Sequence, residues 1–252
     1  MALYAGTSGW QYRHWKGPFY PEDLPSTKWL PYFAERFPTV EVNNTFYRLP
    51  ERRTFESWRN ATPDDFVITV KASRFLTHNK RLLDPEPAVR KLLNAAEGLE
   101  HKLGPILLQL PPNFEAVPER LEQTLAAFPS QTKVAVEFRH DSWFTPEVRS
   151  ILERFDAANC LVDRDGNTLG PLWKSASWGY VRFHNGDSEW WRYSKGRLEH
   201  WIYTLQQTFD RSEDVFAYFN NDMGAAAIND CREFERIAQD RGFAVARAGA
   251  TR

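Results

Sequence analysis

Eight short runs of β-branched and aromatic residues, each followed by a segment of helical period, constrain this chain more than any other feature. The runs cover residues 3–8, 39–43, 66–71, 105–109, 133–137, 160–163, 180–184 and 215–220. Helical patterns fall over residues 27–37, 53–60, 87–99, 146–156, 198–208 and 224–240, and another is opened by Pro118, a residue suited to a first turn. Alternation of this kind builds a parallel sheet covered by helices. An open doubly wound sheet would carry a glycine-rich phosphate loop after an early strand, and no such loop is present. At 252 residues the chain also has the usual size of a closed barrel. The expected fold is therefore α/β, a single (β/α)8 TIM barrel with a parallel eight-stranded sheet, forming one domain over residues 1–252.

The polar residues of these strands share one parity. In a barrel, alternate side chains point inward, and those at the C-terminal strand ends line the mouth where active sites of this architecture lie. Counting in twos collects Glu41 and Asn43, Thr69 and Lys71, Gln109, Glu137 and Arg139, Asp163, Arg182 and His184, and Asn220. Residues of the other parity, among them Val42, Val70, Leu108, Val136, Val181 and Phe219, are apolar and would face the helices. The stretch TVEVNNTFYRLP, residues 39–50, shows the pattern most fully: a strand ending in a carboxylate and a carboxamide, then a loop with a hydroxyl, two rings and a cation.

Composition narrows the partners. The formal net charge is −1, so no global positive field exists to hold nucleic acid or an anionic membrane. The two cysteines, Cys160 and Cys231, have neither disulfide-framework nor metal spacing. The start MALYAGTSGW lacks the pattern of a signal peptide, and no apolar run approaches ~18 residues. The expectation is a soluble cytoplasmic protein.

The motifs GTSGWQYRHW, PFYPEDLP, VEVNNTFYRLP, VKASRFLTHNKRL, LLQLPPNF, AVEFRHDSWF, YVRFHN and YFNND resemble, in this order and from Gly6 to Asp222, those of the YecE-like family of TIM barrels, domain of unknown function 72. The resemblance implies the barrel and carries no reaction with it, although these barrels are similar to an endonuclease-like and isomerase-like group. Asn185 stands where the family usually has glycine; asparagine tolerates a left-handed backbone better than most residues, so the turn can survive.

The cations Arg48, Lys71, Arg74, Arg139 and Arg182 should converge on the mouth, and guanidinium forks suit a phosphate or carboxylate. Alternatively, Glu41, Glu137 and Asp163 neutralise them in an internal ion-pair lattice. Glu41, Glu137, Asp163 and His184 could instead hold a divalent metal, although the adjacent cations oppose it; no other cofactor is expected. Without a metal, Glu41 or Glu137 is the candidate base and His184, His78 or His140 the candidate acid. Lys71 could form a Schiff base if desolvated, with its acidic neighbours acting to keep it protonated. Rings crowd the same end: Trp10, Tyr12, Trp15, Phe19, Tyr20, Phe46, Tyr47, Trp143, Phe144, Trp190 and Trp191 could stack on a base or sugar or pack the loops. Asn220, Asn221 and Asp222 suggest a helix start, where free backbone N–H groups could accept a phosphate or Asp222 could serve simply as the cap.

These readings combine into a mouth binding a small anionic, phosphorylated or nucleotide-like substrate. Glu41, Glu137, Lys71 and His184 are the candidate catalysts for hydrolase-, lyase- or isomerase-type acid/base chemistry. Asn43, Tyr47, Arg48, Arg74, His78, Gln109, Arg139, Asp163, Arg182, Asn220 and Trp10 are the candidate binding residues. The alternative is a nucleic-acid-binding module without turnover, which would need cations running out along the rim.

Overall fold

The computed structural model describes residues 2–246, so residue 1 and residues 247–252 of the expected 1–252 unit lie outside the described residues. Strands β1 (Ala2–Ser8), β2 (Thr39–Val42), β3 (Val67–Lys71), β4 (Leu103–Gln109), β5 (Val134–Glu137) and β6 (Ala158–Arg164) pair in sequence, all parallel. A short β7 (Asn167–Leu169) intervenes before β8 (Gly179–His184) and β9 (Val215–Phe219) extend the parallel sheet. The partnership of β9 with β1 then closes it into a barrel. Two strands lie outside the expected eight. The first, β7, folds back antiparallel on β6, and β10 (Ala244–Val245) pairs with the start of β1.

Helices follow the strands around the outside: α1 (Trp29–Ala34), α2 (Asn44–Tyr47), α3 (Arg52–Asn60), α4 (Glu86–Ala96), α5 (Pro118–Ala126), α6 (Pro146–Arg154), α7 (Lys195–Thr208) and α8 (Ala226–Asp240). Both α5 and α6 start on proline, and Thr145 caps α6 by accepting a bond from the Val148 amide at 3.2 Å. The apolar parity of the strands meets the apolar faces of the helices in one continuous core containing Val40, Val70, Leu108, Val136, Val181 and Phe219 together with Phe33, Phe55, Leu92, Leu121, Ile151, Leu198 and Phe234. Each such side chain, fully buried, contributes roughly 1.5–3 kcal/mol relative to exposure. No helix among the described residues is long and apolar enough to cross a membrane.

The barrel interior is layered. At the bottom, Tyr4 stacks on Phe216 at 4.9 Å between ring centroids, and Trp178 meets Phe216 edge-on. In the middle, the Tyr218 hydroxyl bonds to the hydroxyls of Thr39 and Thr69, each at 2.7 Å, so a phenol in an otherwise apolar layer is satisfied. Gly6 supplies the space that lets β1 approach β2: a β-carbon there would run into the Thr39 carbonyl oxygen. The charged residues form the layer above, at the C-terminal strand ends.

Candidate active site at the barrel mouth

Arg182 occupies the centre of the upper layer and is 1% exposed. Its Nη2 donates to Glu41 Oε1 at 2.8 Å, and its Nη1 donates to Glu137 Oε2. Glu41 also accepts from the Ser8 hydroxyl at 2.7 Å and the Tyr180 hydroxyl at 2.5 Å. Glu137 accepts from Gln109 Nε2 and Arg139 Nε, both at 2.8 Å. Burial by itself would push both carboxyls up, yet Arg182 and the remaining donors hold Glu41 below, and Glu137 well below, the ordinary carboxylate range. Both acids therefore serve as ionised counter-charges with their lone pairs occupied. The lattice expected as an alternative to a ligand site exists, and Arg182 is its hub rather than a fork open to a ligand. Ser8 and Tyr180 escaped the sequence reading. Tyr180 shares the parity of Arg182, so the same count in twos reaches it.

Lys71 lies beside this lattice without joining it. The residue is 8% exposed, and its Nζ sits 4.5 Å from the centre of the Phe46 ring. Its carbonyl accepts from the Thr45 hydroxyl at 2.7 Å, whereas Nζ has no ion-pair or hydrogen-bond partner among the described residues. Burial, and then repulsion from Arg182, lowers its pKa from the ordinary 10.5 to about 8. The Phe46 ring works the other way, by about 1 kcal/mol, less than one pKa unit. Nearby acids were expected to keep this amine protonated; Arg182 has engaged them first, and the net displacement is downward.

The segment after β3 carries the next groups. Residues Phe75–Asn79 form a single π-helical turn, a distortion frequent at functional sites. It places His78 against Phe46, ring centres 4.9 Å apart, with Nδ1 at 2.9 Å from the Thr77 hydroxyl. Burial, followed by the charges of Lys71, Arg74 and Arg139, depresses the His78 pKa from 6.5 to about 4, so the ring is neutral near pH 7. His184 is held below its usual value by burial and by Arg182; its Nδ1 lies 3.0 Å from Asn220 Nδ2 and its Nε2 3.4 Å from Arg182 Nη1. Arg139 spends its Nε on Glu137 while 28% of its side chain stays exposed. Arg48 and Arg74 are exposed and have no ion-pair partner among the described residues. Asn43 donates from Nδ2 to the Ser8 carbonyl at 3.3 Å, and its buried Oδ1 has no partner.

Four expected placements are corrected. Asp163 does not face the mouth. Along β6 the inward residues are Ala158, Cys160 and Val162, which pack with the interior rings, and Asp163 turns outward to the Tyr193 hydroxyl at 2.9 Å, Arg197 Nε at 2.6 Å and Trp201 Nε1 at 2.6 Å. The three acids and the imidazole considered for a metal thus do not assemble as one set, and no group of three His, Cys, Asp or Glu side chains among the described residues converges as ligands would. Trp10 is buried edge-on against Trp58, ring centres 5.5 Å apart, and presents no face to a ligand. Asp222 makes no side-chain cap bond; its carbonyl accepts from Trp15 Nε1 at 2.9 Å, and α8 begins only after Ala225, in a left-handed conformation at φ 61°. His140 bonds the Ser142 hydroxyl at 2.8 Å and shapes its own loop.

The rings divide. Trp15, Tyr20 and Trp143 are fully buried, whereas Tyr47 is 80% and Trp190 83% exposed, with Trp191 and Phe75 also in solvent around the mouth. Asn185 adopts the left-handed backbone, φ 69°, that its place in the turn requires. A groove of about 970 Å³ opens at the opposite end, lined by Tyr4, Val67, Gly104, Lys133 and Phe216. None of the mouth residues reaches it, and that end of such a barrel serves stability rather than chemistry.

A family model described as "Protein of unknown function DUF72" matches residues 4–251. The UPF0759 protein YunF of Bacillus subtilis (strain 168) is similar to the chain, 26% identical over 268 residues, covering 92% of this chain and 93% of that protein. Among solved structures, a DUF72 family protein from Thermotoga maritima MSB8 is 28% identical with a TM-score of 0.82, over 95% of this chain and 100% of that one. A DUF72 family protein from Enterococcus faecalis V583, 16% identical with a TM-score of 0.76 over 94% and 95% of the two chains, shares the fold.

Proposed function

Since the chain belongs to the DUF72 family, described as of unknown function, its chemistry has to be argued from the mouth, and we propose that this mouth binds a small anionic substrate and acts on it by acid/base chemistry. The observation carrying the proposal is a charge surplus. Glu41 and Glu137 are both engaged by Arg182, and Glu137 by Arg139 as well, so two carboxylates face these two arginines and Lys71, with exposed Arg74 adding a further cation. A phosphate or carboxylate is the counter-charge that such a group of donors accepts. Phosphorylated and nucleotide-like compounds are the favoured class. Proton transfer falls to Lys71, His78 and His184 rather than to Glu41 and Glu137, because a carboxylate held ionised by three donors is a weak base.

Calorimetry and thermal shift at low salt, with inorganic phosphate, pyruvate and nucleoside monophosphates as probes, test this reading. The wild type should bind at least one of them, and Arg74→Ala combined with Arg139→Ala should weaken that binding by about tenfold or more. Binding that survives the double substitution removes the mouth as the anion site. Exposed Tyr47, Phe75, Trp190 and Trp191 favour a second reading, in which bases of a single strand stack around the rim. A tight, salt-sensitive complex with an oligonucleotide that excludes no small anion would favour it.

A further inference from the structure

The geometry points to Lys71 as an imine-forming nucleophile for a carbonyl compound that bears a carboxylate or phosphate. This deepens the proposed function and rests on its anion site. Four observations converge. Lys71 closes β3 at the mouth, where its nitrogen meets an aromatic face instead of an acid. The residue is buried but not sealed, with 8% of its surface exposed. Arg182 and Arg139 act on it as neighbouring cations, and a lysine that is desolvated and flanked by positive charge is the arrangement that frees an amine for attack. Beside it, Asn43 continues β2 past Val42, which pairs with Val70, so the register sets Asn43 alongside Lys71 at the strand ends.

In the reaction, the neutral amine attacks the carbonyl carbon. A C–N bond forms, the carbonyl electron pair moves to oxygen, and one proton passes from nitrogen to that oxygen to give a carbinolamine. A second proton lets the oxygen leave as water. The sum, starting from the ammonium, is Lys–NH3+ plus O=CR2 giving Lys–NH+=CR2 plus H2O, with no oxidant or reductant required. Arg74 and Arg139 would hold the anionic end of the substrate.

The test uses the full chain with pyruvate, dihydroxyacetone phosphate or neutral acetaldehyde, and sodium cyanoborohydride to convert an imine into a stable secondary amine, followed by peptide mapping. Near pH 8 Lys71 should be labelled by an anionic probe about tenfold or more faster than exposed Lys28, Lys91 and Lys195, because far more of it is neutral there. The pH profile should have its midpoint near 8, and Lys71→Arg should abolish the modification. If that variant fails to fold, the ratio of Lys71 to exposed lysines within the wild type decides. Labelling of Lys71 no faster than that of the exposed lysines overturns the inference, and if phosphate still protects the protein against heat, the anion site stands without it. Equal labelling by acetaldehyde and pyruvate supports the nucleophile and overturns the anion reading beneath it.

Discussion

Arg182 shows how one residue can look like a ligand clamp in the sequence and act as a strut in the fold. Removing it would leave Glu41 and Glu137 ionised, fully buried and facing each other without their common cation. Arg182→Met should therefore cost about 3–5 kcal/mol, read as a shift in the urea unfolding midpoint at unchanged slope. A loss below ~1 kcal/mol would mean that the lattice is not the support described. Glu137→Gln acts on a different property. The Glu137 carboxylate favours the Lys71 ammonium, so its removal should make the amine still easier to deprotonate. The midpoint of Lys71 modification is expected to move below pH 8 in Glu137→Gln, and a shift to higher pH would sever the electrostatic link between the two residues.

At the scale of elements, β6 and α7 are joined by a polar staple. Asp163 ties the strand to Tyr193, Arg197 and Trp201, on α7 and the turn before it. Asp163→Ala should destabilise the protein by about 3 kcal/mol, since three donors lose a buried acceptor, while leaving the Lys71 labelling ratio unchanged. Intact stability with altered labelling would put Asp163 back at the mouth. This strand also marks where sequence reading ran out. Six of the seven strands counted in twos kept that parity because their outward residues are apolar and their inward ends polar. In β6 the chemistry is inverted at its end, with Val162 inside and Asp163 outside, and only the partners on α7, thirty residues and more away, make that legible. The β7 hairpin did have a local signal. Asp165-Gly166 sits between paired Arg164 and Asn167, both at positive φ (53° and 73°), the two-residue turn that matches strand twist. Likewise Lys71 was read correctly as a mouth residue, but its isolation from the acids depends on which cation reaches them first, a matter of three-dimensional competition.

For the whole molecule, stability against pH sums these local choices. Glu41 and Glu137 have lowered pKa values in the fold, so their contribution is complete above the unfolded value near 4.5 and is lost as pH falls through the folded values. His78, lowered to about 4, binds its proton more readily when unfolded; it costs stability as pH falls from 6.5 to 4. Glu235 opposes it. Burial raises this carboxyl to about 8 against the pull of Arg232, so the unfolded chain releases the proton first and stability declines as pH rises from 4.5 to 8. The surface of Glu235 is only partly covered, which damps its effect. Between pH 4.5 and 6.5 the two slopes offset each other; below 4.5 the lattice dominates, and above 6.5 Glu235 lowers stability until Lys71, at about 8 in the fold against 10.5 unfolded, begins to offset it. Urea unfolding should accordingly show greatest stability near pH 5–6.5, a steep loss towards pH 3.5 and a shallow one towards pH 8. Glu235→Gln should flatten the alkaline side, and His78→Asn should let the decline begin from pH 4.5. A wild type as stable at pH 3.5 as at 5.5 would contradict an ionised lattice, and with it the charge surplus that makes the mouth a site for anions.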